Sequence, residues 1–261
     1  MDGIQRRISR ISRNGRFLIV PMDHGISQGP IKGIQNMNHI VEQVSIGKAS
    51  AIVTHKGVLK QLSLKSIGSC GVIMHLSAST KLGPMPNYKV LVGKVEEAVA
   101  LGADAVSIHI NIGGEETEPV MLQSAGEVAD ACRIYGMPLL TMAYARGQNV
   151  SNSLDAEKIA FVVRVAYELG ADIVKCNYSG DSESFKQVIE GCSVPVIIAG
   201  GPKIDNDQQL LEMVKGSLIA GAKGISIGRN IFQHANPQKI VEALGKIIYE
   251  DKSVENVLEF L

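Results

Sequence analysis

Short, nearly continuous apolar runs recur along the chain, separated by longer stretches whose apolar positions fall at helical spacing. The runs are Arg16–Met22, Ala51–Thr54, Val72–Leu76, Ala105–Ile110, Pro138–Met142, Asp172–Cys176, Pro195–Ala199 and Gly224–Ile227. Runs of this kind suit parallel strands buried on both faces. Between them, Ile159, Val162, Val163, Ala166 and Leu169 fall on one helical stripe, as do Leu210, Leu211, Val214 and Leu218. Asp155 and Asp207 are the expected N-caps of these two helices.

A junction repeats between helix and strand. Leu101-Gly-Ala-Asp-Ala-Val106, Leu169-Gly-Ala-Asp-Ile-Val174 and Ala220-Gly-Ala-Lys-Gly-Ile225 share one form, and Ile46-Gly-Lys-Ala-Ser-Ala-Ile52 is a weaker fourth copy. A glycine that takes the left-handed cap without steric cost ends a helix, and a β-branched run follows. Repeated junctions mean a repeated βα unit. Eight such strands over about 250 residues predict an α/β fold of the (β/α)8 TIM barrel type. A doubly wound open sheet is the competing architecture, but no G-x-G-x-x-G follows the first run. No linker divides the chain, so residues 1–261 are expected to form a single domain. Residues 1–15 would form a short N-terminal helical extension covering one end of it.

Composition narrows the class. The 26 Lys+Arg balance 26 Asp+Glu, which argues against a broad electrostatic grip on nucleic acid or an anionic membrane. No apolar run approaches the ~20 residues of a membrane span. Cys70, Cys132, Cys176 and Cys192 form no C-x-x-C pair, so reduced thiols in a cytoplasmic protein are expected.

In a barrel of this type the chemistry lies at the carboxyl ends of the strands. There the sequence supplies Asp23-His24-Gly25 after the first strand and Tyr144-Ala145-Arg146 after the fifth. Gly200-Gly201 follow the seventh and Gly228-Arg229 the eighth. The two glycine pairs sit where such barrels bind phosphate, with Arg229 adding a bidentate charge; the plainer alternative is tight turns. Lys175 stands inside an apolar strand, two residues on from Ile173. Burial disfavours an ammonium and would leave an amine able to attack a carbonyl. A buried ion pair with Asp23 is the structural alternative. Tyr144 is placed to move a proton during imine formation, and Asp23 to act as base or to orient a hydroxyl. Simple core packing is the other reading of Tyr144. His24, His55, His75 and His109 end the first four strands and could instead gather a metal ion, although Lys175 would then be redundant. The favoured expectation is no metal and no cofactor.

Several segments together resemble the archaeal-type class I aldolase family, whose members work through a Schiff base. They are Met22-Asp-His-Gly-Ile-Ser-Gln-Gly-Pro30, Tyr144-Ala-Arg-Gly147, Asp172-Ile-Val-Lys-Cys-Asn-Tyr-Ser-Gly-Asp181, Ala199-Gly-Gly-Pro-Lys203 and Ile227-Gly-Arg-Asn-Ile-Phe-Gln233. The resemblance implies a (β/α)8 enzyme, with Lys175 as the Schiff-base lysine, Tyr144 as proton donor and Asp23 as proton acceptor. It implies substrate contacts from Asp23, His24, Gly25, Ile26, Ser27, Tyr144, Ala145, Arg146 and Lys175. Gly200, Gly201, Gly228 and Arg229 would form the phosphate cradle. Two activities dominate the family: fructose-1,6-bisphosphate cleavage, and a transaldolase-type synthesis on an alternative route to the aromatic amino acids. The synthesis joins a 6-deoxy-5-ketohexose 1-phosphate unit to L-aspartate semialdehyde. Val20-Pro-Met-Asp-His-Gly25, Gly29-Pro-Ile-Lys-Gly33, His55-Lys-Gly57 and Ser107-Ile-His-Ile-Asn111 are similar to the synthase branch. Related enzymes join dihydroxyacetone phosphate to the same aldehyde. The partners implied are thus a phosphorylated keto-sugar and an aldehyde, with no nucleic acid or membrane, in a homo-oligomer that is often a decamer. One departure from the family pattern is Ala145, where proline is usual. A non-catalytic sugar-phosphate sensor is the hypothesis from another class, and it would leave Lys175 and Tyr144 idle.

Overall fold

A computed structural model describes residues 2–204 and 206–261. Eight parallel strands close into a barrel: β1 (Phe17–Pro21), β2 (Ala51–Thr54), β3 (Gly71–His75), β4 (Ala105–Ile112), β5 (Leu139–Ala145), β6 (Ile173–Cys176), β7 (Val196–Ala199) and β8 (Gly224–Ser226). Each pairs with its chain neighbours, and β8 closes on β1. The expected runs agree closely with these strands except at β4 and β5. Those two continue to Ile112 and Ala145 because they pair in register from Val106↔Leu139 through Ile112↔Ala145. Tyr144 therefore lies inside a strand, not in the loop after it.

The repeated junction explains how helices hand over to strands. Gly102, Gly170 and Gly221 take φ of +75°, +96° and +109°, the region that glycine enters without penalty. In the weak copy Gly47 is helical, and Lys48 takes the positive φ of +71° instead. Gly47 is demanded by packing, since a Cβ there would sit 2.7 Å from the Gln238 carbonyl. The residue before each of three strands has a second task. Asp104 accepts the Val72 N–H at 2.9 Å, Asp172 the Leu139 N–H at 2.8 Å and Ser50 the Leu18 N–H at 3.0 Å. Each side chain thus satisfies a backbone donor at the start of the neighbouring strand.

Helix starts follow the same logic. The Asp155 side chain caps the helix Ala156–Glu168 by accepting the Lys158 N–H, as expected. The helix Asp207–Ile219 is capped by Asn206 and not by Asp207, whose carboxylate lies 3.3 Å from His234 Nε2 instead. On the two stripes, Ile159, Val162, Val163, Ala166, Leu210, Leu211 and Val214 are buried against the outside of the barrel.

Inside the barrel, Phe17, Ile19, Ala51, Val53, Ile73, Ala105, Leu140, Ile173 and Ile197 fill the lower part. The helix Gly3–Ile11 closes the amino-terminal end and inserts Ile11, which is fully buried, into this cluster. Because side chains alternate along a strand, the same inward faces continue upward as His75, Ser107, His109, Lys175 and Ser226. The interior thus changes from apolar to polar towards the carboxyl rim. A two-stranded antiparallel ribbon, Ser77–Ala78 with Val90–Leu91, extends beyond β3 at that rim. The four cysteines are free thiols. Among the described residues no helix is long and apolar enough to cross a membrane.

Candidate active site

The carboxyl rim encloses a cavity of about 340 Å³. Asp23, His24, Ile26, Ser27, Tyr144, Arg146, Lys175, Gly200, Gly201, Gly228 and Arg229 all line it. Two of the expected contacts do not. Gly25 opens the short helix Gly25–Gln28 and lies outside the lining. Ala145 follows the inward-facing Tyr144 and so faces the helical layer, where it packs in the outer core.

Lys175 stands on β6 in register with Met142 of β5 and Ile197 of β7, both of which point into the barrel. It is 6% exposed, and among the described residues it makes no hydrogen bond or ion pair. The ion pair with Asp23 that would have made it structural is absent. The Asp23 carboxylate instead faces imidazoles, with His24 Nδ1 at 3.7 Å and His75 Nε2 at 3.9 Å. Burial alone would raise the Asp23 pKa. The positive charges that His75, His24, Lys175 and His55 can carry outweigh it and hold the carboxyl well below the usual carboxylate range. Burial pushes His75 down to about 4, against the attraction of Asp23. Burial also lowers His24, His55 and His109. Near neutral pH the site therefore holds an ionised carboxylate among uncharged imidazoles.

Tyr144 stands on β5 two residues above Met142. Its ring lies 4.9 Å from that of His109, and the Arg146 guanidinium stacks over it at 4.4 Å. His109 Nε2 is 2.9 Å from Asn111 Oδ1, and His75 Nδ1 is 2.8 Å from Ser107 Oγ. These imidazoles are held by polar neighbours within the barrel wall. Among the described residues no three His, Cys, Asp or Glu side chains gather with the spacing of a metal site.

The wall formed by the β7 and β8 loops presents open glycine backbone and a guanidinium to the cavity. Gly201 has φ +62° and open space where a Cβ would be, so its backbone can be approached closely. At Gly228 a Cβ would strike His24 Cε1 and the Pro21 carbonyl, both at 2.7 Å. Arg229 donates from Nη2 to the Gly201 carbonyl at 2.8 Å, while its Nε is buried without a partner. Asn230 was not singled out from the sequence, yet it clasps the two loops together. Its Nδ2 donates to the carbonyls of Gly200 (3.0 Å) and Pro202 (3.1 Å), and its Oδ1 accepts the Ile204 N–H at 2.6 Å. A strand-end Asn one residue past the Gly-Arg pair is the signal that could have flagged it. Buried polar groups are normally satisfied. Among the described residues, His24 Nδ1, His55 Nε2, Ser226 Oγ and Arg229 Nε are buried without a hydrogen bond, and all four residues line this one cavity. Two further such atoms, Thr54 Oγ1 and Tyr249 Oη, lie off the cavity, so four of these six unsatisfied groups sit where a polar ligand could meet them.

Residues 17–234 match the family described as DeoC/LacD family aldolase. The chain belongs to that family. Among its relatives is a 2-amino-3,7-dideoxy-D-threo-hept-6-ulosonate synthase 1 of Archaeoglobus fulgidus. It is 43% identical over 260 residues, covering 100% of this chain and 96% of the relative. A 2-amino-4,5-dihydroxy-6-oxo-7-(phosphonooxy)heptanoate synthase of Streptomyces griseus is 37% identical, covering 90% of this chain and 85% of the relative. Among solved structures, a Schiff-base-forming fructose-1,6-bisphosphate aldolase superposes with a TM-score of 0.87 at 32% identity. The match covers 94% of this chain and 100% of that one. This aldolase-family chain thus has the (β/α)8 barrel that the strand arithmetic predicts, and it shares that fold with a Schiff-base-forming aldolase.

Proposed function

We propose that this enzyme is a Schiff-base transaldolase that makes 2-amino-3,7-dideoxy-D-threo-hept-6-ulosonate on an alternative route to the aromatic amino acids. It would do so by moving a three-carbon unit from a 6-deoxy-5-ketohexose 1-phosphate to L-aspartate semialdehyde. The observation that carries this reading is Lys175, a buried amine without a partner, set between Met142 and Ile197 at the floor of a polar cavity. The 43% identity to the Archaeoglobus synthase over the full chain supports the choice of product.

Each residue then has a task. The Lys175 amine adds to the donor ketone beside the methyl group, because the product keeps a methyl next to its own ketone. Tyr144 passes a proton to the departing hydroxyl, and water leaves as the imine forms. The protonated imine draws the electrons of the bond between its α and β carbons as that bond breaks. Asp23 takes the hydroxyl proton from the carbon that becomes the departing aldehyde. A three-carbon enamine stays on Lys175, and the phosphate departs with the other half. The enamine carbon attacks the aldehyde of aspartate semialdehyde, whose oxygen recovers a proton from Asp23. Water then hydrolyses the imine and frees the lysine. Gly200, Gly201, Gly228 and Arg229 hold the donor phosphate through backbone N–H groups and the unpartnered guanidinium nitrogen. No resident metal or cofactor is needed, since the imine is the electron sink.

We also read the chain as a cytoplasmic homo-oligomer. The outward apolar side chains of Ile134, Phe161 and Ile219 supply surface that self-association would cover. A second reading of the chemistry follows from the Streptomyces relative, whose named product keeps a phosphate on its seventh carbon. Mass spectrometry of the product separates the two. With 6-deoxy-5-ketohexose 1-phosphate and aspartate semialdehyde, the account expects an unphosphorylated seven-carbon amino acid and no cleavage of fructose 1,6-bisphosphate. A phosphorylated product from dihydroxyacetone phosphate, or fructose bisphosphate cleavage without the semialdehyde, would overturn it.

A further inference from the structure

Across the cavity from the Arg229 cradle, the wall beyond β3–β5 carries a second set of cations. Lys89 stands immediately before the ribbon strand Val90–Leu91 and lines the cavity together with Arg146. Its position is well fixed. The ribbon pairs Ala78 with Val90, the Leu76 carbonyl accepts the Val92 N–H at 2.8 Å, and the Lys89 N–H points to Met121 Sδ at 3.4 Å. The ammonium donates to Ser79 Oγ and to the Pro86 carbonyl (2.9 Å), which leaves a third donor uncommitted. The Asn87 carbonyl in the same loop accepts from Asn111 Nδ2 at 2.7 Å. Asn111 in turn meets His109, His109 meets the Tyr144 ring, and Arg146 stacks on that ring. One contact chain therefore ties the Lys89 loop to the wall that bears Arg146.

These two cations face the cavity with no carboxylate between them: among the described residues neither Lys89 nor Arg146 forms an ion pair. Burial and the nearness of Arg146 lower the Lys89 pKa, while the more distant Asp23 raises it. Lys89 is half-buried and Arg146 exposed, and two neighbouring like charges without a counter-ion repel, a cost that an incoming anion would relieve. Lys175 on β6 stands between this wall and the Arg229 cradle on β7 and β8.

We propose that Lys89, with Arg146, forms a second anion subsite that holds the carboxylate of the acceptor amino-acid aldehyde. This rests on the transaldolase reading and extends it to the acceptor. The two relatives differ in whether their named products carry a phosphate, yet both products are 2-amino-heptanoate skeletons with a carboxylate at the far end from the ketone. Two separate anion subsites allow the departing phosphorylated half and the entering carboxylated half to be held by different walls. A neutral aldehyde would gain nothing from Lys89.

The test compares wild type with Lys89→Gln, which keeps the length and hydrogen bonding of the side chain but removes its charge. The KM for aspartate semialdehyde should rise about ten- to hundredfold, with kcat and the donor KM little changed, as for a lost charge-assisted contact. Propionaldehyde, an acceptor without a carboxylate, should react equally poorly with both proteins. A binding measurement without chemistry separates this proposal from the imine reading. L-Homoserine keeps the carboxylate and ammonium of the acceptor but has no aldehyde, and Lys89→Gln should weaken its binding by a similar factor. That result holds whether or not borohydride traps an imine at Lys175. Unchanged homoserine binding, an unchanged acceptor KM, or a rise confined to the donor KM would overturn the subsite.

Discussion

The two ends of the barrel are made from the same eight strands and obey opposite rules. At the amino-terminal end Ile11 plugs an apolar interior, and the polar groups Arg7, Arg10 and Asp104 beside it are paired, although the buried Tyr249 hydroxyl is not. Arg7 Nη1 donates to the Gly136 carbonyl at 2.9 Å, and Arg10 Nε lies 2.5 Å from Asp104 Oδ1 while Asp104 Oδ2 accepts the Val72 N–H. At the carboxyl end, among the described residues, Lys175 makes no hydrogen bond or ion pair, and His24, His55, Ser226 and Arg229 each keep a buried nitrogen or oxygen unsatisfied. Most of the polar groups named at the first end are committed to the fold, whereas four buried ones at the second are left open to the cavity. That division is the reason a conservative change should cost stability at one end and activity at the other.

Tyr144→Phe tests the reserved end most severely. Loss of a proton-transfer group should slow turnover by about 10²–10⁴-fold while the variant still captures donor at Lys175. A variant with near-normal kcat would place the proton shuttle elsewhere. Arg229→Ala removes the unpartnered guanidinium nitrogen, and phosphorylated donor should then bind about 2–3 kcal/mol more weakly, read as a rise in its KM. An unchanged KM would mean that the phosphate does not use this cradle. Ile11→Ala probes the other end. It should lower unfolding free energy by about 2–5 kcal/mol in a urea titration, yet leave kcat at 25 °C unaltered. A large loss of kcat in the folded variant would show that the two ends are not independent.

The sequence made the repeating frame legible because the signals are local. A glycine at each helix-to-strand junction and an unbroken apolar run are readable within six residues, and Gly102, Gly170 and Gly221 do adopt the positive φ that the motif implies. Lys175 was visible for the same reason, being a charge inside one apolar run. What stayed hidden depends on partners far along the chain. Asn230 acts by holding Gly200 and Pro202, about thirty residues away, and Lys89 by sitting at the end of a ribbon whose strands show no alternation. The length of β5 was underestimated because its last residues are stabilised by β4, not by their own pattern. The outward direction of the Ala145 side chain is legible by period alone: once Tyr144 faces inward, its neighbour faces out. The cap at Asn206 lost out to Asp207 because adjacent Asx residues offer the same local signal.

The central claim is that Lys175 is the nucleophile. Borohydride added with 6-deoxy-5-ketohexose 1-phosphate should reduce the imine to a secondary amine and inactivate the enzyme irreversibly. Peptide mass spectrometry should then find a donor-derived adduct on Lys175 and on no other lysine. Lys175→Arg should give no adduct and almost no turnover, because a guanidinium stays protonated and cannot attack a carbonyl. Full activity after borohydride and donor, with Lys175 unmodified, would contradict the account.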